Sequence, residues 1–295
     1  MNEQMIALNH MTKNYGKHRG VNDLSFSVNE GEVFGFIGPN GAGKSTTIRA
    51  LMGLIRPTSG SASIFGMDCW KNASVIAQNV GYLPSEDSYY KNMKVQELLQ
   101  YTADLYQKNC QDKMHELSER LDLDLSRRIS ELSLGNKKKV GIVSAFMTSP
   151  ELIIMDEPTS GLDPLVQQAF YDMVREANRN GTTVFLSSHV LSEVQKLCGR
   201  VAILKDGGLV EIRSIRELRE SGYKKVGVLS NAPIPRECFK IAGVTGYQEN
   251  DERKSVSFFY NGKIPALIEK INELQPEDVF LEEPSLEEIF LHYYE

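Results

Sequence analysis

The sequence predicts an α/β chain: a mostly parallel sheet with helices packed on it, followed by a small α+β unit. Three observations predict this. From residue 80 to residue 200, short apolar runs alternate with segments of helical periodicity. Near residue 38 a glycine-rich loop joins an apolar run to a helix-like one. The pattern changes at 220–223, after which short strand-like and amphipathic segments recur. The 295 residues suffice for one large domain or two smaller ones, and 41% apolar with 24% charged is ordinary for a globular chain.

Taken in order, residues 5–10 and 20–37 alternate or cluster apolar side chains as strands do. Residues 38–43 form a loop. Ile48, Leu51 and Met52 are spaced to face a core, which predicts a helix over 45–54. A strand follows at 80–83. Residues 92–128, rich in Leu, Glu, Gln and Lys, read as helical. Strands are predicted at 152–155 and 183–186, and helices at 166–179 and 191–197. VAILKDGGLVEI then reads as a hairpin with its turn at Asp206 and two glycines. Beyond 223, strands are predicted at 226–229, 256–260 and 279–281, with helices at 264–274 and 285–293. The last helix opens with Ser285 and Glu288 at capping-box spacing, and Leu286, Ile289, Phe290 and Tyr293 share one face. The glycine-rich loop occurs once, so the chain holds one half of a nucleotide site rather than two.

Composition excludes several classes. The net charge of −6 disfavours a nucleic-acid surface. Cys69, Cys110, Cys198 and Cys238 are far apart and form no C-x-x-C pair, which fits reduced thiols in a cytosolic protein better than a zinc site or disulfide framework. The segment MNEQMIALNH has no basic start and no apolar signal core. No run approaches the roughly 18 apolar residues of a membrane span, so work at a membrane would need another chain to cross it.

The stretch GPNGAGKST, residues 38–46, fits the phosphate-loop pattern of Gly, four residues, then Gly-Lys-Ser. Glycines let the backbone wrap closely, so successive N–H groups aim at phosphate oxygens. The helix that follows adds the partial positive charge of its N-terminus. Gly38, Asn40, Gly41, Ala42, Gly43, Lys44, Ser45 and Thr46 are therefore candidate nucleotide-phosphate-binding residues. Lys44 can reach the β and γ phosphates, and the Ser45 hydroxyl can ligate Mg²⁺. LIIMDEP, 152–158, is an apolar strand ending in two acids, the end of a strand where ligands bind in open α/β sheets. Asp156 is the candidate Mg²⁺ holder, and Glu157 the candidate base that polarises the attacking water. The lysines at 137–139 begin a helix and are expected on a solvated face.

Further motifs narrow the family. LSLGN at 132–136 resembles the signature loop of ATP-binding cassette (ABC) proteins, usually L-S-G-G-Q. SGLD at 160–163 resembles their D-loop, His189 after TVFLSS sits at their switch histidine, and Tyr15 matches the aromatic that stacks on adenine. These features stand in the family's order across residues 5–215. The resemblance implies a P-loop NTPase of ABC type: an ATP-binding domain at 1–220 with a helical subdomain at about 85–150, and an accessory C-terminal α+β domain at 221–295. The chain departs from the pattern at Leu134, where a glycine is usual, at Asn136 for glutamine, and at Ser85, where the family has its glutamine loop.

The resemblance implies ATP and Mg²⁺ as cofactors and a head-to-tail pair of ATPase subunits, identical or not. Ser133 and Gly135 of one would close over the ATP held by the other. Asp163 would lie at their interface, His189 would contact the γ phosphate and Glu157, and Ser85 is a possible contact to Mg²⁺-bound water. EEPSLEEIF and the C-terminal extension resemble ATPase subunits of bacterial exporters. The expected function is the motor of an exporter at the cytoplasmic face of the membrane. It would drive a separate transmembrane permease that docks near Tyr89 and Tyr90, with no nucleic-acid partner. The alternatives are a non-transport ABC ATPase and a slow-hydrolysing nucleotide-binding regulator.

Overall fold

A computed structural model describes residues 3–16, 18–86, 88–219, 223–232, 234–250, 254–284 and 288. Contacts divide the chain into Met1–Arg213 and Ser214–Glu295, whereas the sequence pattern put the boundary at 220/221.

The first unit opens with a long hairpin, β1 (Gln4–Tyr15) and β2 (His18–Asn29). The run expected at 20–37 is two strands: Gly31, at φ 70°, turns the chain before β3 (Val33–Ile37). The glycine loop and α1 (Lys44–Leu51) follow. Next come β4 (Ser59–Ile64), β5 (Met67–Asp68), α2 (Ala73–Ala77) and β6 (Val80–Leu83). The stretch expected as helical at 92–128 is two helices, α3 (Val95–Leu105) and α4 (Gln111–Arg120). Gln107, at φ 54°, adopts a left-handed conformation between them that no helix interior accepts. After these lie α5 (Leu134–Phe146), β7 (Leu152–Asp156), α6 (Pro164–Arg179), β8 (Thr183–Ser188), α7 (Leu191–Leu197), β9 (Arg200–Lys205) and β10 (Gly208–Ser214).

Two sheets result. One is antiparallel in the order β2-β1-β4-β5. The other runs β10-β9-β3-β8-β7-β6 and is parallel from β9 to β6. Strands β3, β7 and β8 are buried along their whole length, as expected of parallel strands covered on both faces. Phe26 of the first sheet stacks on Phe34 and Phe185 of the second, at ring distances of 5.7 and 6.4 Å. The core of the unit lies there, between the sheets. Helix α7 packs on β3 at Gly35, where a Cβ would come within 2.8 Å of Val194.

The second unit contains α8 (Ile215–Arg219), β11 (Lys224–Leu229), a 3-10 turn (Arg236–Phe239), β12 (Val244–Asn250), β13 (Ser255–Tyr260), α9 (Ile264–Glu273) and β14 (Asp278–Glu282). Its antiparallel sheet runs β12-β13-β11-β14. This is the ferredoxin-like order, with the first helix reduced to a 3-10 turn. Val226, Val228, Val256 and Phe258 face Phe239, Leu267 and Ile271 in a separate core. Of the last expected helix, 285–293, only Glu288 lies within the described residues, in helical conformation; Ser285, Leu286, Ile289, Phe290 and Tyr293 lie outside them.

Candidate functional site

Strand β3 delivers the chain into the glycine loop, and the loop closes on itself. Gly43 caps α1 at φ 101°, a left-handed value that side chains disfavour, and a Cβ there would sit 2.5 Å from Val21. A Cβ on Gly38 would meet the Leu204 carbonyl at 2.8 Å and Ala42 at 2.9 Å. Every larger residue at these two positions would fill the cradle. Lys44, only 6% exposed, donates to the Gly38 carbonyl at 2.6 Å, and Ser45 and Thr46 are half-buried in the first turn of α1. Asn40 and Gly41 are exposed at the tip and Ala42 is buried.

Tyr15 lies beside Gly20, and Gly20 lies beside the loop. A Cβ on Gly20 would come within 3.3 Å of the Tyr15 ring, and the Gly20 carbonyl lies 3.3 Å from a Cβ built on Gly43. The ring is 42% exposed, with the Lys13 ammonium 5.3 Å from its centroid.

Strand β7 brings the two acids to the same end of the sheet. Asp156, 2% exposed, accepts a hydrogen bond from the Ser187 hydroxyl on the neighbouring strand. Its charge adds to burial in pushing the Tyr82 hydroxyl up to about 12, burial being the larger cause. Glu157 follows at φ 51°, a left-handed conformation uncommon outside glycine. Its amide is held by the Ser187 carbonyl and hydroxyl, both at 3.2 Å. Its carboxylate is divided between two cations or donors. Oε2 lies 2.6 Å from His189 Nδ1, and buried Oε1 lies 3.2 Å from Lys44 Nζ without a directed hydrogen bond. A buried carboxylate oxygen facing a phosphate-loop lysine, with a glycine cradle alongside, fits a nucleotide triphosphate and its Mg²⁺.

The D-loop segment leaves the same strand end. Asp163 caps α6, accepting from the amides of Leu165 and Val166 at 3.1 and 3.0 Å. Ser133 caps α5 by accepting from the Asn136 amide at 3.3 Å. Gly135 packs on Gly161 so closely that a Cβ would stand 2.7 Å from its carbonyl. Leu134 points outward, 69% exposed, and Leu165 is 85% exposed. Ser85 is held by its carbonyl, which accepts from Lys138.

Sequence reasoning erred on the lysines at 137–139. Lys138 and Lys139 are 2% and 8% exposed, because the face of α5 that bears them packs inward and their ammonium groups end on main-chain carbonyls. Reasoning from sequence also missed Ser187 and Glu193. Glu193 is 4% exposed and accepts from Thr159, just before the D-loop, and from Ser188 at 2.9 Å, just before His189. Burial is the main cause that raises its carboxyl above the ordinary range, with the Glu157 charge adding and the two hydroxyl donors opposing. Serines inside an otherwise apolar strand and an acid on a half-apolar helix were the available signals.

This fold and this site define a nucleotide-hydrolysing cassette. Residues 21–160 match the ABC transporter family. The bacitracin transport ATP-binding protein BcrA of Bacillus licheniformis is 37% identical over 75% of this chain and 73% of its own length. The ABC transporter ATP-binding protein YhaQ of Bacillus subtilis is 32% identical over 97% of both chains. Among solved structures, an ATP-binding subunit of an ABC transporter superposes with a TM-score of 0.69 at 30% identity, over 73% of this chain and 92% of that one. A dimeric cassette bound to ADP and Pi, at TM-score 0.66 and 22% identity over 72% of this chain and 99% of that one, shares the fold. The chain belongs to the ABC transporter ATP-binding proteins: it binds ATP, hydrolyses it, and is the ATP-binding subunit of a transporter.

Proposed function

We propose that this chain is the motor of an exporter, pairing head to tail with a second ATPase subunit to drive a separate transmembrane permease from the cytoplasmic face. One observation carries the reading: the Glu157 carboxylate sits between the phosphate-loop lysine and His189 at the end of β7. A base for water belongs there, beside the γ phosphate.

The amides of 38–46 and Lys44 bind the phosphates, and Tyr15 stacks on the adenine. Ser45 and Asp156, with Ser85 nearby, would hold Mg²⁺, which would supply neutralisation of phosphate charge. Glu157 orients the attacking water and takes its proton as the new oxygen–phosphorus bond forms and the bond from the γ phosphorus to the β–γ bridging oxygen breaks, releasing ADP and phosphate. His189 keeps that carboxylate aimed and contacts the γ phosphate. Ser133 and Gly135 close over the partner's ATP, with Asp163 between the subunits. The outward Leu134 and Leu165, large apolar residues beside the signature and the D-loop, support such an interface. Among the described residues no helix is long and apolar enough to cross a membrane, so a permease on another chain fits. The exposed Tyr90, edge-on to Tyr101 at 6.3 Å, suits its docking on the helical subdomain. The name of BcrA as a bacitracin transport protein supports export.

The test is ATP-dependent dimerisation of the Glu157→Gln chain by light scattering after size exclusion, alongside the turnover of both chains. The expected result is a dimer only with ATP and a turnover reduced at least about a hundredfold. A monomer at saturating ATP would overturn pairing of like subunits. Retained turnover would overturn the assignment of the base.

A further inference from the structure

Lys138 is among the largest fully buried side chains of the chain, yet it carries a charge. Burying an ammonium is costly unless donors meet acceptors, and a neutral side chain of similar length would fill the same space without that cost. The Lys138 ammonium ends on two consecutive main-chain carbonyls, Pro84 and Ser85, each at 3.1 Å. Those carbonyls belong to the segment that leaves β6, which pairs with β7 from Val80–Leu152 to Leu83–Met155, one residue short of Asp156. Lys138 itself lies one turn beyond Gly135, on the helix whose N-terminus is Ser133.

A second contact fixes the other end of the same pair of elements. Gly81 of β6 lies so near the Ala145 carbonyl of α5 that a Cβ would stand 2.1 Å away. Helix α5 is thus seated on β6 by close backbone contact near its C-terminus and tied to the strand's exit by one cation near its N-terminus. The two contacts leave the 84–85 segment linked to α5 at Lys138 and the strand linked to it at Ala145.

We infer that Lys138 is a positioning residue for ATP hydrolysis: it ties the loop beside the chain's own Mg²⁺-ATP to the helix that presents Ser133 and Gly135. The inference rests on the proposed in-trans role of that helix. It explains how the site works with Ser85 in place of the longer glutamine, since the link runs through the main-chain carbonyls and the buried cation, not through the side chain at 85. A charge-assisted bond to a carbonyl has the directionality such a link needs.

Hydrogen exchange on the full-length Glu157→Gln chain, with and without Mg-ATP, tests this, comparing peptides over 83–86 and 133–140. Both are expected to change together in the chain with Lys138. With Lys138→Met added, the change at 83–86 persists and that at 133–140 falls at least about threefold, while Lys138→Arg restores it. On the otherwise unmutated background, Lys138→Met is expected to lower kcat about tenfold with KM for ATP within about twofold, and Lys138→Arg to recover most of the loss. Equal responses at 133–140 with Met or Lys overturn the inference. Should the methionine variant not fold, the chain with Lys138 decides: no response at 133–140 on ATP addition also overturns it. Absence of a dimer in light scattering would instead sink the pairing reading, and the comparison of Lys138 with Met is then made in the monomer, where 133–140 meets no partner ATP.

Discussion

Glu193 joins two segments that sequence reading treats separately, accepting from Thr159 just before SGLD and from Ser188 just before His189. Its carboxyl titrates above the ordinary carboxylate range, chiefly through burial. Between the ordinary value, about 4.3, and the raised one, the folded chain holds more protons than the unfolded chain, so this residue makes stability fall as pH rises. Glu193→Gln removes the titration. The melting-temperature advantage of the parent over that variant is expected to shrink from about pH 4 to about pH 8. A constant gap across that range would mean the carboxyl ionises as easily in the fold as out of it. Lys44, Asp156 and Glu157 were legible because phosphate chemistry demands those types at those spacings. Glu193 and Lys138 were not, since what marks them is burial against partners 34 and 53 residues away in sequence.

At the scale of elements, the parallel strands were legible and several antiparallel ones were not. VFGFI and LIIMD are continuous apolar runs because both their faces are covered. SGSASI and VTGYQEN, the sequences of β4 and β12, present half or more of their residues partly or fully to solvent and owe their strand character to their partners β1 and β13. No local period betrays them. The aromatic contact between the sheets is the joint that holds the two kinds together. Phe185 is fully buried and touches Phe26, Phe34 and Phe36. Phe185→Ala is expected to cost about 3–5 kcal/mol in denaturant unfolding of the first unit. A loss below about 1 kcal/mol would mean that the surrounding side chains collapse into the space the ring leaves, and that the contact is not the joint between the sheets.

At the scale of the whole molecule, the second unit has a core of its own, with Phe258 against Phe239 at 4.6 Å and Leu267 fully buried above the sheet. A fragment of residues 214–295 is therefore expected to fold alone, giving strand-rich circular dichroism and a cooperative melt. A fragment with no melting transition would show that it borrows stability from the rest of the chain. The same closure has an evolutionary meaning. A core that closes within Ser214–Glu295 answers to its own packing rather than to nucleotide chemistry, so the two parts of the gene are free to change at different rates. The likeness to YhaQ covers 97% of this chain and that to BcrA 75%. A module with its own closure can take up substitutions on its own account while the cassette stays under the constraint of its chemistry.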